Sequence, residues 1–374
     1  MRLGIDFGTC YSSAALMLNG KLKPIKNSFK HDSSFPSSIF ITKQGEIVIG
    51  YAADRQRRLD PLSYCQEFKR DLGRTIPYEI GNKSMLPEEV IGHFLYNLKL
   101  EAEKVANQDL KSAVITIPAS YQAYKQDLMV QAAKQAGFEE VDLLKEPVAA
   151  AIYYAQTSDR DAALQDGDIM LVYDLGGGTF DAALIQKRGL GYELLAQPIG
   201  DEHCGGIDFD RQILKDLKVK CQAQIGDLLD PQRRDPTAIR MRLAIGDWCR
   251  EFKHQLSVVT EYEDMLPIGE AIYSLDRSTF EGTIAPLIRK TCTLCQQLVD
   301  DAGLKWGQVA RILMVGGSCR IPYVRQSLER EFARPVVQVD ELELAVCLGA
   351  AIFANEQKEQ IGRASCRERV LMPV

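Results

Sequence analysis

The chain has 374 residues, 46% of them hydrophobic, and a formal net charge of −6; it is too long for one ordinary core, has apolar material for two lobes, and is too acidic for nucleic acid to be its main partner. Asp6 interrupts the only apolar stretch near the start, and no run reaches the roughly 18 to 20 apolar residues that cross a bilayer, so neither a signal peptide nor a membrane helix is expected and the protein reads as cytoplasmic. The chain opens with an apolar run from Leu3 to Phe7, a Gly8-Thr9 turn and a second run from Ser12 to Leu18, which together predict a β-hairpin. Short strands at 37–41 and 47–50 follow, then a long amphipathic helix from Pro87 to about Val105. Ser112 to Ile117 reads as a buried strand ended by Pro118, Tyr124 to Ala136 as a helix closed by Gly137, and Val141 to Leu144 as another strand. Glu146-Pro147 then introduces a helix from Val148 to Ala155, with the proline in the first turn, where its missing amide costs nothing.

The second half repeats the plan. A run from Ile169 to Leu175 leads into Gly176-Gly177-Gly178-Thr179 and a further run from Phe180 to Ile185, predicting a second hairpin. Gly205-Gly206 precedes a helical segment over 207–224, a polar stretch covers 227–237, and helices are expected at 238–254 and 278–302. The strand ending at Val315 delivers a third glycine turn, Gly316-Gly317, before a helix that carries Pro322 in its first turn. Cys292 and Cys295 both fall on an apolar helical stripe, so they read as buried structural thiols, and the four histidines, His31, His93, His203 and His254, form no local ligand pair.

Either glycine turn alone is explained by a strand and a turn. Occurring twice, in the same strand-turn-strand context half a chain apart, they point to a duplicated phosphate grip. Backbone amides without a Cβ can close around phosphate oxygens, the threonine hydroxyls of Thr9 and Thr179 add donors, and the aspartates Asp6 and Asp174 can hold Mg²⁺ through water. Two such hairpins facing one another would clamp one nucleotide.

Four segments carry a family likeness: Gly4 to Ser12, Asp174 to Asp181, Gly200 to Asp210 and Met314 to Pro322. In this order they resemble the ATPase domain of the 70-kDa heat-shock chaperones (DnaK type), within the actin, sugar-kinase and chaperone superfamily, over Arg2 to about Asn355. The stretches 205–210 and 315–322 favour the chaperone branch. The resemblance implies an α/β protein of the actin-like ATPase fold, with two duplicated RNase H-like lobes around a central nucleotide cleft. Lobe I would span 1–163 with 38–86 as its outer subdomain, lobe II 164–337 with 204–284 as its outer subdomain, and 338–360 would return to lobe I.

It also implies ATP or ADP with Mg²⁺, and room for K⁺. Asp6, Asp174, Glu146 and Asp181 would serve the metal. Gly8, Thr9, Cys10 and Tyr11 of the first turn and Gly176, Gly177, Gly178 and Thr179 of the second would surround the phosphates. Lys69 would bring charge to the γ-phosphate and the attacking water; a surface lysine is the plain alternative. Gly205, Gly206, Lys253, Ser257, Gly316, Gly317, Ser318 and Arg320 would enclose the adenosine, with Arg320 stacked on the base.

Departures from the family pattern are informative. Arg250 stands where the family has Glu, His254 where it has Arg, and Glu343 where it has Asp. Gln126 and Asp142 replace two basic residues of the coupling surface, so an ordinary J-protein is expected to dock poorly. Client polypeptides would bind through a domain not in this chain, a nucleotide exchange factor is a further expected partner, and neither nucleic acid nor membrane is. The other readings are an actin-like filament protein, a sugar or acyl kinase, or a nucleotide-sensing scaffold with little turnover. The segment 361–374 is expected to be non-native, because Ile361 to Val370 lacks hydrophobic periodicity and back-translates to a common sequencing-library adapter.

Overall fold

The computed structural model describes residues 1–356 except 29, 31, 158–163, 190, 227, 228, 231, 234, 269 and 270. His31, parts of the polar 227–237 stretch and the 361–374 tail therefore lie outside the described residues.

Both predicted hairpins form, and each is the centre of a sheet. In the first sheet Arg2–Asp6 lies antiparallel to Tyr11–Leu18, with Asp6 opposite Ser13, and parallel to Ser112–Ile117, which in turn pairs with Glu140–Lys145. In the second, Ile169–Leu175 lies antiparallel to Phe180–Arg188, with Asp174 opposite Asp181, and parallel to Val309–Val315, beyond which is Val336–Gln338. Lys21–Pro24 and Gly191–Leu194 extend the second strand of each hairpin. The two sheets thus have the same strand order and sense. Their central strands are apolar along nearly their whole length because helices cover both faces.

Three cores result. One lies under the first sheet against the Pro87–Ala106 helix, one under the second against Arg277–Asp301, and the third lies between the sheets. The last includes seven alanines of the Glu146–Thr157 helix and of a helix over 345–356, small residues that let these elements pack closely between the two sheets. Cys292 and Cys295 are buried in the second core, as their spacing predicted.

Most predicted elements appear within a few residues of their expected ends. The helix Pro236–Val258 is longer than expected because Asp235 caps it, accepting from the Ala238 amide at 3.0 Å, with Pro236 in the first turn. The expected 207–224 helix is instead Gly206–Lys220, broken at Cys221 (φ −116°) before a short Gln222–Ile225 turn; the apolar period runs through the break and hides it. The hairpin of Glu261–Met265 with Ile272–Asp276 was not expected, since its acidic first strand has weak strand propensity.

Candidate active site

The tips of the two hairpins cross at close range, and a cavity of about 750 Å³ opens between the sheets around them, within the size range of small-ligand sites. A Cβ on Gly177 would lie 2.5 Å from the Cys10 sulfur, and one on Gly178 would lie 2.6 Å from Cβ of Thr9. Only glycine permits this crossing. It leaves a cradle lined by Gly8, Thr9, Cys10, Tyr11 and the residues 176–179. Gly205 stands behind it, packed on the backbone of Gly177 and Gly178.

Under the crossing lie four acids and one lysine. Asp6 ends its strand and accepts from the Thr116 hydroxyl at 3.3 Å. Lys69 donates to Glu146 Oε1 at 3.0 Å, and with 4% exposure it is not a surface lysine. What holds it there is the ring cluster of Phe7, Phe68 and Phe94, fully buried with centroids 5.7 to 6.1 Å apart. Each buried ring contributes roughly 1.5–3 kcal/mol, enough to offset much of the cost of taking one ammonium out of water. On the other side Tyr173, immediately before Asp174, stacks near Phe180 and bonds Thr291 at 2.6 Å. Asp181 is buried, accepts from the Ser120 hydroxyl at 3.0 Å, and lies behind the cavity wall rather than in it.

Charge is unbalanced here. Burial first, then the neighbouring Glu146 charge, pushes Asp6 up to about 7 and Asp181 up to about 7, and raises Asp174 well above the usual carboxylate range. Burial disfavours the charge of Lys69, but the adjacent Glu146 wins and keeps it protonated. Among the described residues no three His, Cys, Asp or Glu side chains converge to ligate a metal directly. The residues do fit a cation held through water, since one lysine cannot neutralise the carboxylates that face this space.

The far wall is built from Gly206, Lys253, Ser257, Gly316, Gly317, Ser318 and Arg320. Lys253 donates to the Gly206 carbonyl at 3.0 Å and pairs with Asp210 at 2.8 Å, while the Ser318 hydroxyl donates to the Gly176 carbonyl at 2.7 Å. Arg320 sits half-exposed at the lip, 3.2 Å from Glu343. Of the residues expected at the site, all but Asp181 and Gly205 line the cavity. Arg250 and His254 line it as well. Arg250 precedes Lys253 by three residues on one helix, a spacing that puts both on the same face and could have placed it in the wall.

Several ties cross the cleft. Arg57 pairs with Asp247; Arg70 donates to the Gly178 carbonyl and to Asp208 at 2.9 Å; Lys125 pairs with Glu202 at 2.7 Å. Asp142 is engaged by Arg2, and the Gln126 amide donates to the Tyr121 carbonyl at 2.8 Å.

The sequence matches the family model described as Hsp70 protein over residues 2–360. The chain belongs to the Hsp70 family. Its curated relatives include "Chaperone protein DnaK" of Picrophilus torridus, 32% identical over 96% of this chain and 59% of the relative. Those of Methanothermobacter thermautotrophicus, 30% identical over 96% of this chain and 61% of the relative, and Stenotrophomonas maltophilia, 31% identical over 94% and 58%, carry the same description. This Hsp70 chain thus spans about three fifths of the length of the relatives it matches. Its two like sheets and the cleft between them are the actin-like ATPase fold. Among the described residues no helix is long and apolar enough to cross a membrane.

Proposed function

We propose that this chain is the nucleotide domain of a divergent chaperone, binding ATP or ADP in the cleft and hydrolysing ATP. The observation that carries this reading is the crossing of the two hairpins, where a Cβ on Gly177 or Gly178 would strike Cys10 or Thr9 and where glycine turns from both halves line one cavity. In this reading the sequence-derived limits of the lobes, 1–163 and 164–337 with the return at 338–360, are kept.

The chain's own residues work mainly by position and charge. Glu146 keeps Lys69 charged and aimed beneath the cradle, so that its ammonium can meet negative charge gathering on the terminal phosphate and orient the attacking water. Thr9, Tyr11 and Thr179 donate around the phosphates, with Asp181 behind them acting on the cavity through its surroundings. Lys253, Ser257, Ser318 and Arg320 hold the nucleoside. Asp6, Asp174 and Glu146 would hold Mg²⁺ through water, and the ion would supply positive charge to balance these carboxylates and the phosphates; K⁺ would sit in the same acidic surroundings. No covalent intermediate is needed, because phosphoryl transfer depends on alignment and neutralisation.

Hydrolysis would drive client polypeptides on and off a domain outside this chain, in the cytoplasm, with a nucleotide exchange factor as a further partner. A J-protein would stimulate little, and Arg2 is part of the reason: it already engages Asp142, so the surface presents an ion pair instead of a free cation. The experiment is single-turnover ATP hydrolysis by the chain with and without Mg²⁺. Mg²⁺-dependent release of phosphate is expected; tight ATP binding with no release supports the sensing scaffold instead, and transfer of phosphate to an added sugar or acyl acceptor supports the kinase reading.

A further inference from the structure

One cation of the cavity wall has no close counter-ion. Lys69, Arg250, Lys253 and Arg320 all line the cavity. Lys69 has Glu146 at 3.0 Å, Lys253 has Asp210 at 2.8 Å and Arg320 has Glu343 at 3.2 Å. Arg250 reaches Asp210 only at 4.0 Å, and that carboxylate already serves Lys253. Asp247, one turn earlier on the same helix, is engaged by Arg57. The other groups facing Arg250 are the Cys10 thiol and Tyr11 phenol of the first hairpin, which burial holds in their neutral forms, and His254, whose pKa burial and Lys253 lower.

A guanidinium carries five N–H donors in a fork; Arg250, with 26% side-chain exposure, donates to the Tyr11 phenol oxygen and has no carboxylate closer than 4.0 Å to pair with the fork. Arg250 and Lys253 lie on one face of the Pro236–Val258 helix, the first beside Cys10 and Tyr11, the second on the Gly206 carbonyl. Both line the cavity beside the cradle, and Arg250 is near enough to Cys10 for its charge to act on that thiol.

We propose that Arg250 is a phosphate-recognition residue of the cavity, completing with Lys253 a cationic wall that sets a preference for ligands with a phosphate group against it. This rests on the nucleotide reading above. The planar fork of a guanidinium can take two phosphate oxygens at once, which a point charge such as Lys253 cannot. Two sources could supply the group: the 5′-phosphate chain threaded through the cradle, or a phosphate carried on the ribose.

The test is isothermal titration calorimetry of the chain with adenosine, ADP and adenosine 3′,5′-bisphosphate, for wild type, Arg250→Gln and Arg250→Lys. Arg250→Gln should weaken at least one phosphorylated ligand about tenfold or more while changing adenosine less than about twofold, and Arg250→Lys should recover part of the loss. A loss that includes ADP assigns the 5′ chain; a loss confined to the bisphosphate assigns a ribose phosphate. The proposal is overturned if both phosphorylated ligands bind Arg250→Gln within about twofold of wild type, or if adenosine loses as much as they do, which is what a purely structural arginine gives. A wild-type protein that binds none of the three refutes the nucleotide reading itself, and this inference with it.

Discussion

The two glycine hairpins are built alike and furnished differently. In each, a strand flanked by a parallel neighbour and an antiparallel partner carries a partly buried aspartate at or next to its end, Asp6 or Asp174. At the tip, however, the first hairpin carries the side chains of Thr9 and Cys10, and the second answers them with Gly178 and Gly177. The copies differ because they face each other: two tips with side chains would collide, and two bare tips would leave a gap. A second asymmetry follows at the level of charge. The first half contributes the buried Lys69–Glu146 pair, whereas the second contributes three cations of the cavity wall, the buried Lys253, the half-buried Arg250 and the exposed Arg320.

The comparison sets one buried lysine–acid pair in the first half against three wall cations in the second, and it can be broken. The largest effect is expected from Lys69→Ala, which should lower single-turnover hydrolysis at least about a hundredfold while leaving ATP affinity nearly intact, because the ammonium acts where charge develops during the reaction. A large loss of affinity by calorimetry with turnover preserved would make Lys69 a binding group and erase the contrast.

Asp6→Asn and Asp174→Asn come next, each expected to slow hydrolysis at least about tenfold. The two aspartates occupy equivalent strand ends, so their effects should be similar; rates within about twofold of wild type for both would remove the clamp from the mechanism.

Complementarity of the tips is tested by Gly177→Ala, which should weaken ATP binding about tenfold, the scale of an overpacked contact of roughly 1–3 kcal/mol. Cys10→Gly in the same chain should restore part of that affinity by vacating the space, and a double-mutant cycle measures the coupling. Additive losses would mean the tips do not pack against each other.

The smallest effect is a pH dependence. Asp6 and Asp181 are pushed up to about 7 in the fold by burial and by Glu146, whereas an unfolded carboxyl titrates near 4. Between those values the folded state holds more protons, so stability should fall as pH rises from about 5 to 8. Thermal unfolding without divalent cations should show a midpoint lower by a few degrees at pH 8 than at pH 5, and Mg²⁺ with ADP should remove most of the difference. A midpoint that climbs with pH would contradict the buried-acid arrangement.

What could be read from the sequence was what depends on near neighbours in the chain. The glycine turns, Pro87, Pro147, Pro236 and Pro322, and the apolar runs fix the hairpins, the helix starts and the two-sheet plan, and the glycine motifs pointed to the residues at the crossing, whereas wall residues such as Asp32, Tyr51 and Asp210 went unread as such. Legibility ended where a contact joins distant segments. Nothing local in Arg57, Arg70 or Lys125 says that each finds an acid or a carbonyl on the opposite side of the cleft, and nothing near Asp142 announces Arg2, 140 residues away. Asp181 shows the converse: its sequence setting is that of a ligand, yet the pleat turns it behind the wall toward Ser120. Arg250 lay between these cases, visible as a substitution but meaningful only once its neighbours' carboxylates were found to be engaged elsewhere.

The helix over 345–356 fits two tight seats. A Cβ on Gly4 would fall 2.4 Å from the Ala351 amide nitrogen, and one on Gly349 would fall 1.8 Å from the Ala149 carbonyl oxygen. Gly4 lies two residues before Asp6, and Ala149 three after Glu146. The helix is therefore keyed at once to the strand that carries one acid and to the helix that carries the other. Because close-packed interiors transmit strain rather than absorb it, a displacement of this helix would press on both seats, and the two acids share one support.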